Sequence, residues 1–343
     1  MQIKITRKQF IKNSFYAGAA TMLLPDLRPF AGDRVMTVRG PLETVKMGFT
    51  LTHEHVMVDF IGAAKFSKSR YNAEEVITIA LPFLKDARVR GVETFIDCTP
   101  AYLGRDPEIL KKLADATGMN ILTNTGYYGA VNEKFVPAHA YNETAEQLAN
   151  RWTEEWNDGI EGTSIKPGLI KTSTDKGPLT PMQRKLIQAA GLTHLSTGLT
   201  IAVHSGDGDA AFEQLDLLKE LGVSPGARIW VHAQNEANKE MHIRAAKIGS
   251  WVSFDGVNPD TLQVHLNYLQ AMKYNHLLEQ VLVSQDSGWY NVGDPQGGKF
   301  KPYTCIIDQF IPLLRQNGFT ADEIDLIFKK NPARAFAVRV RKG

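Results

Sequence analysis

The sequence lacks several features that would assign it to common protein classes. Its 343 residues include two cysteines, Cys98 and Cys305, which are too few for a disulfide framework and have no metal-ligand spacing. No G-x-G-x-x-G follows the first predicted strand, and no G-x-x-x-x-G-K-S/T or G-x-S-x-G is present. No motif therefore supports nucleotide binding or serine-hydrolase chemistry. Ser205 beside His204 is not sufficient evidence for a catalytic serine.

The chain also lacks a charge excess and long apolar runs. It contains 39 basic and 37 acidic residues, and no long run of one sign indicates a nucleic-acid or polyanionic partner. Past the N-terminus, no apolar stretch reaches the roughly 20 residues of a membrane span. We expect a small-molecule substrate, no nucleic acid and no stable membrane insertion of the mature domain. A homodimer through surface helices is compatible with this composition.

The N-terminal segment has the layout of an export signal. Basic residues within 6–12 precede a small-residue, moderately apolar stretch over residues 14–24, and Pro25 ends it. The segment resembles a twin-arginine signal in which Lys8 replaces one arginine. We predict an export signal over residues 1–31 and a periplasmic or otherwise exported protein. The alternative is a short amphipathic helix at the start of a cytoplasmic protein.

The body of the chain, residues 35–340, alternates short apolar strands with helical patterns. Eight strands are predicted, at residues 49–52, 94–97, 120–125, 168–171, 200–204, 228–232, 250–254 and 280–284. Between them, apolar residues recur at helical spacing in segments such as 107–117, 181–196, 210–221 and 238–248. This pattern predicts one α/β domain, a (β/α)8 TIM barrel. An open doubly wound sheet is the structural alternative.

Potential metal ligands follow the predicted strands. His53 and His55 close the first strand, and residues i and i+2 of a strand project to the same face. Further candidates stand at the ends of later strands or just past them: Lys171, His204, His232 and Asp286. Carboxyl ends of barrel strands carry active-site residues, and imidazole with carboxylate suits zinc or another divalent transition ion. The other five histidines fall in helical or loop patterns.

The number of candidate ligands favours two ions over one. Four histidines and an aspartate exceed the needs of a single open zinc site, and a bridging anion would help to hold two cations together. Lys171 is the odd member, because its ammonium would be repelled by the ions unless carbon dioxide carboxylates it to an anionic bridge. On the residues alone, a lysine that reaches solvent or pairs with Asp175 is the preferred alternative.

Several segments, in order, resemble the phosphotriesterase family of the amidohydrolase superfamily. They are residues 48–55 (GFTLTHEH), 97–100 (DCTP), 104–107 (GRDP), 125–128 (TGYY), 168–172 (GLIKT), 203–204 (VH), 231–236 (VHAQNE), 284–286 (SQD) and 331–336 (NPARAF). The resemblance implies a binuclear metal centre, with zinc preferred and Mn²⁺, Co²⁺ or Fe²⁺ as alternatives. His53, His55 and Asp286 would hold the buried ion, and His204 and His232 the exposed ion.

The resemblance further implies N6-carboxylysine at Lys171 and a bridging hydroxide that attacks a lactone, ester or amide carbonyl or a phosphoester. Asp286 would be the general base, and Lys171 would take part through its bridge. Tyr128, Trp289 and Tyr290 are the predicted substrate-binding residues. The loop after the seventh strand has no nearby arginine like the one in the lactone-binding pattern of the family's lactonase branch. The alternative function is an exported barrel-type binding protein without catalysis, although no ligand position is replaced.

Overall fold

The computed structural model describes residues 33–343. The predicted export signal at residues 1–31 lies outside the described residues and stays a prediction. An antiparallel hairpin of β1 (Arg34–Thr37) and β2 (Gly40–Glu43) opens the described chain. Among residues 33–343, no helix combines the length and apolar character needed to cross a membrane.

The remaining strands form a closed parallel barrel of eight strands, to which one short further strand, the last in the chain, is added. They are β3 (Thr50–Val58), β4 (Thr94–Asp97), β5 (Asn120–Leu122), β6 (Asn124–Thr125), β7 (Leu169–Thr174), β8 (Ile201–Ser205), β9 (Arg228–Val231), β10 (Trp251–Phe254), β11 (Val281–Val283) and β12 (Gly288–Asn291). One sheet has the order β11-β10-β9-β8-β7-β6 and the other β12-β3-β4-β5. A single residue, Thr123, separates β5 from β6, so these two segments form one barrel strand.

The ring closes where the end of β11 meets β3. The Asp286 backbone N–H donates to the His53 carbonyl at 3.1 Å, and the His55 N–H donates to the Ser287 carbonyl at 3.0 Å. Each of the eight predicted strands overlaps an observed one, and all pairings of the barrel strands are parallel. The predicted (β/α)8 barrel is confirmed.

Helices surround the barrel and cover its apolar outer face. Their bounds are Ala73–Val89, Pro107–Thr117, Ala138–Asn142, Ala145–Asp158, Pro181–Thr197, Gly208–Glu220, Lys239–Lys247, Leu262–Tyr274, Ile311–Gln316, Ala321–Asp325 and Asn331–Ala335, with π-helical turns at Ile306–Phe310 and Leu326–Lys330. The helix Pro107–Thr117 has the predicted bounds. Its start is set by Asp106, whose carboxylate accepts from the N–H groups of Glu108 and Ile109, and its end by the left-handed Gly118.

The first barrel strand is longer than predicted. We expected His53 and His55 to close it, but β3 continues three residues beyond His55, to Val58. The extension is stabilised by β12, a short strand that the apolar pattern did not reveal and that pairs with it in parallel. The two histidines therefore lie inside β3. Their side chains still reach the carboxyl end of the barrel, because β4 ends at Asp97, which pairs with Glu54 between the two histidines.

Candidate metal centre

One cavity of about 200 Å³ at the carboxyl end of the barrel contains all six predicted ligands. Its lining consists of His53, His55, Val58, Phe60, Leu103, Tyr128, Val131, Lys134, Phe135, Lys171, His204, His232, Asp286 and Trp289. The imidazoles lie close together, with ring centroids 4.8 Å apart for the tilted pair His53 and His232 and 4.5 Å apart for the edge-on pair His204 and His232. The fold therefore brings together six residues from five different strands or strand ends.

Asp255 orients two of the histidines at once. Its Oδ2 accepts from His53 Nδ1 at 3.0 Å, and its Oδ1 accepts from His232 Nδ1 at 2.6 Å. With Nδ1–H used in this way, the bonding pattern leaves Nε2 of each ring as a lone pair. Burial acts to raise the pKa of Asp255, but the two imidazoles outweigh it and hold that pKa well below its usual range.

Asp255 is a poor candidate for a metal ligand itself, although one of its oxygens lies within 4.8 Å of ring nitrogens of His53 and His232. Ser253 donates to its Oδ2 at 3.0 Å, Gln234 donates to its Oδ1 at 3.1 Å, and the side chain is fully buried. Both oxygens are thus already occupied by donors. A carboxylate with this role fixes the tautomer and direction of the rings that face an ion.

His55 is oriented by a hydroxyl. Thr99 Oγ1 donates to the Met57 carbonyl at 3.1 Å, so it accepts from His55 Nδ1 at 2.7 Å. The His55 Nε2 lone pair consequently faces His53 Nε2 at 3.3 Å and Asp286 Oδ1 at 3.1 Å. Two imidazole nitrogens and a carboxylate oxygen turned toward one another repel unless a proton or a metal ion lies between them. This donor set fits a divalent metal ion.

Lys171 is the third residue of β7 and is buried, with 1% of its surface exposed. Among the described residues, its Nζ has no hydrogen-bond partner. The alternative of pairing with Asp175 is wrong, because that carboxylate accepts instead from the backbone N–H groups of Val131 and Asn132 and from Gln183. Burial lowers the pKa of Lys171. An unpaired ammonium is costly at such a position, whereas a neutral amine is less so.

Asp286 follows β11 in a left-handed backbone conformation, with φ of 52°. Burial acts to raise the pKa of its carboxyl, but contact with His55 and the other nearby imidazoles lowers it overall. Part of the side chain, 23%, stays exposed toward the cavity. The carboxylate is therefore ionised, next to the imidazoles and open to the cavity on one side.

Glu54 holds the segment that carries Asp286. This buried carboxylate accepts from the Ser284 hydroxyl at 2.7 Å, the Gln285 N–H at 3.0 Å and the Ser287 N–H at 2.7 Å. Burial raises the pKa of Glu54 to about 8, against the effect of these donors. Glu54 points away from the cavity, so its role is to fix the position of the Asp286 backbone.

Glu54→Gln should lower hydrolytic activity about tenfold without unfolding the protein. A glutamine amide keeps one acceptor oxygen but turns an N–H toward one of the three donors, which loosens the Asp286 segment. Steady-state kinetics and thermal unfolding of the metal-loaded protein would measure this. Glu240→Gln, at an exposed position, is the matched control, and equal activity in both variants would contradict the positioning role.

The three predicted substrate residues do not all lie in the cavity. Tyr128 OH lies 3.1 Å from His204 Nδ1, and Trp289 packs edge-on against His55 with ring centroids 5.7 Å apart. Both line the cavity. Tyr290 does not: its side chain is buried in the core and its hydroxyl donates to Glu75 at 2.9 Å. Because neighbouring residues of β12 face opposite sides, Trp289 and Tyr290 cannot both face the cavity, and the prediction for Tyr290 is corrected.

Sequence reasoning assigned no role to Asp255, Thr99 or Glu54. A usable signal existed for Asp255, which directly follows the seventh barrel strand at the same level as the predicted ligands. Thr99 follows the second strand by two residues. Nothing in the local pattern marks Glu54, since its partners lie more than 200 residues away in the chain.

Comparisons with known proteins agree with this geometry. The model of the phosphotriesterase family matches residues 33–336. The phosphotriesterase homology protein of Escherichia coli is 30% identical over 295 residues, covering 84% of this chain and 98% of the relative. The aryldialkylphosphatase of Saccharolobus solfataricus is 29% identical, covering 86% and 97%.

The fold comparison leads to the same group. A mutant of the PTE-like lactonase of Deinococcus radiodurans superposes with a TM-score of 0.79 at 26% sequence identity, covering 88% of this chain and all of that one. The matched region includes each residue of the cavity described above. From the family match, the relatives and the barrel with its candidate histidine and aspartate ligands, the chain is a hydrolase of the phosphotriesterase family.

Proposed function

We propose that this protein is a binuclear metal-dependent hydrolase that cleaves a carboxylic ester, lactone or amide. The observation that carries the proposal is the orientation of His53, His55 and His232, whose Nε2 lone pairs are left free by bonds to Thr99 and Asp255. Protein imidazoles held in this way are typical of metal ligands. Two bound divalent ions would make hydroxide available near neutral pH and polarise the oxygen of the scissile group.

The proposed assignment follows the donors. His53, His55 and Asp286 would hold the more buried ion, and His204 and His232 the more exposed one. Mixed nitrogen and oxygen donors favour zinc, with Mn²⁺, Co²⁺ and Fe²⁺ as alternatives. Burial lowers the pKa of His204 well below its usual range, mainly by desolvation, so its ring is neutral and able to act as a ligand at pH 7.

Lys171 is proposed to carry a carbamate. Burial shifts the side chain toward its neutral amine, which can attack carbon dioxide, forming a C–N bond and releasing one proton. The product is an anion at a position where the unmodified ammonium has no partner. A carbamate has two oxygens, which allows one lysine to serve both halves of the ligand set.

Asp286 and the cavity walls have further proposed roles. Asp286 is ionised and partly exposed, so it can accept a proton from the attacking water and pass it toward solvent. Leu103 and Trp289 form apolar walls that would contact the substrate, and a cavity of about 200 Å³ fits a small molecule. Hydrolysis of phosphotriesters requires little beyond a metal hydroxide and a roomy apolar pocket, so carbonyl substrates are proposed first.

The test combines metal content with a substrate panel. Protein purified without chelators should contain about two ions per chain and should hydrolyse members of a panel of lactones, esters and N-acyl amino acids. A chelator should abolish turnover, and zinc or manganese should restore it. One ion or none, with no turnover after metal is restored, would favour the binding-protein alternative. A serine mechanism has no structural support, because Ser205 bonds with Gln214 and Arg228.

A further inference from the structure

One charged side chain lines the cavity in addition to the proposed ligands. Among the described lining residues, the others outside the ligand set are Tyr128 and the apolar Val58, Phe60, Leu103, Val131, Phe135 and Trp289; the exception is Lys134. Phe60 and Val131 are 43% and 50% exposed. Together with the exposed Lys134 they form the mouth of the cavity, where a substrate enters.

Lys134 has no ionic partner within residues 33–343. Its ammonium lies 5.6 Å from the centroid of the Phe135 ring and makes no ion pair or hydrogen bond through its side chain. The adjacent carboxylate of Glu133 is engaged elsewhere, accepting from the Thr180 hydroxyl at 2.5 Å and the Tyr141 hydroxyl at 3.0 Å. The ammonium at the mouth therefore forms no ion pair with a carboxylate of the described residues.

The backbone before Lys134 is strained and firmly held. Val131, Asn132 and Glu133 have φ of 58°, 53° and 61°, a left-handed region that is especially unfavourable for a β-branched valine. Asp175 stabilises this turn by accepting from the Val131 N–H at 2.8 Å and the Asn132 N–H at 3.2 Å. Strained segments of this kind persist where the surroundings fix them, often beside functional sites.

The strained turn positions the residues on both sides of it. Val131 contributes to the mouth, and Lys134 and Phe135 follow directly and also line the cavity. The Lys134 carbonyl accepts from the Ala63 N–H at 3.0 Å, which ties the turn to the loop after β3. The stem of Lys134 therefore starts from a fixed point at the mouth of the cavity, whose lining is otherwise apolar outside the ligand set and Tyr128.

We propose that Lys134 binds an anionic group, a carboxylate, at the end of the substrate remote from the scissile carbonyl. The inference rests on the proposed hydrolytic function and specifies its substrate class: esters or amides whose acyl chain carries a negative charge beyond a short apolar segment. The apolar walls contact the methylene groups of that segment, and the ammonium at the mouth contacts its charged end.

The test uses two esters that differ only in charge, mono-4-nitrophenyl glutarate and its methyl ester. With metal-loaded protein, Lys134→Met should lower kcat/KM for the anionic ester about tenfold, mainly through KM, and change the neutral ester less than about twofold. Lys134→Glu should lower kcat/KM for the anionic ester further. Lys85→Met, which removes an exposed lysine on the outer helix Ala73–Val89, is the matched control and should change kcat/KM for neither ester.

Two results would overturn the inference: equal losses for both esters, or no loss for the anionic ester. Failure of the proposed function is a separate outcome, in which neither ester is hydrolysed by metal-loaded wild-type protein. Calorimetric binding of the anilide of glutaric acid and of its methyl ester then decides the role of Lys134. Weaker binding of the acid alone to Lys134→Met supports it, and unchanged binding of the acid contradicts it.

Discussion

Lys171→Met is expected to abolish hydrolysis and to reduce metal loading while making the metal-free protein more stable. The methionine keeps the length and apolar stem of the lysine but removes the only group that can form the carbamate. Loss of an anionic bridge should reduce kcat/KM by about a thousandfold or more. The metal content measured by mass spectrometry should fall from about two ions per chain to one or fewer.

The gain in stability has an independent cause. Burial lowers the pKa of Lys171, so folding at neutral pH must either bury an unpaired ammonium or release its proton, and both cost free energy. Methionine avoids both costs, and the free energy of unfolding of the metal-free protein should rise by about 1 to 3 kcal/mol. Denaturant unfolding in the presence of a chelator measures this change.

Lys176→Met is the matched control for Lys171→Met. Lys176 lies five residues later in the chain and is exposed, so its replacement should alter neither metal content nor stability. Wild-type metal content and turnover in Lys171→Met would exclude the carbamate bridge. A variant that lost stability as well as metal would instead indicate that Lys171 has a partner in the folded protein.

Asp255→Asn is expected to weaken metal binding about 10- to 100-fold without any change in a proposed ligand. An asparagine has one acceptor oxygen, whereas His53 and His232 each donate to a different oxygen of Asp255. One ring would then face an amide N–H and would have to move its proton to Nε2. That proton blocks the lone pair that faces the cavity, so the affinity of the corresponding ion falls.

Competition with a fluorescent zinc chelator would measure the affinities of both ions in this variant. Asp260→Asn is the matched control, since Asp260 is an exposed acid on the same loop. Affinities within about twofold of wild type would contradict the orienting role of Asp255. Weakening of both ions, rather than one, would show that the amide disturbs His53 and His232 together.

The sequence was sufficient to predict the barrel and the convergence of six residues on one cavity. The eight strands are short apolar runs, and the carboxyl ends of barrel strands meet by geometry, so His204 and His232 could be placed together although they lie on different strands. The same rule located Asp286 and also Lys171, although β7 continues three residues beyond Lys171, which was predicted to end the strand. The rule predicts only that these residues lie close together, because it depends on strand ends and not on side-chain conformation.

Orientation was less predictable. The direction of each imidazole depends on Thr99 and Asp255, whose hydroxyl and carboxylate act through contacts between distant parts of the chain. Tyr290 was misplaced because β12 could not be recognised as a strand, and the side of the chain on which a residue lies follows from strand register. The unpaired state of Lys171 also required the structure, since only there does Asp175 have other donors.

The closure of the barrel has a consequence for how the protein assembles. The two backbone hydrogen bonds that join the last barrel strand to the first are made by His53, His55, Asp286 and Ser287, three of which are proposed ligands. An ion held by these residues would fasten the beginning of the barrel to its end, 233 positions apart for His53 and Asp286. Metal binding would then be thermodynamically linked to folding, so that removal of the ions would lower the stability of the closed ring.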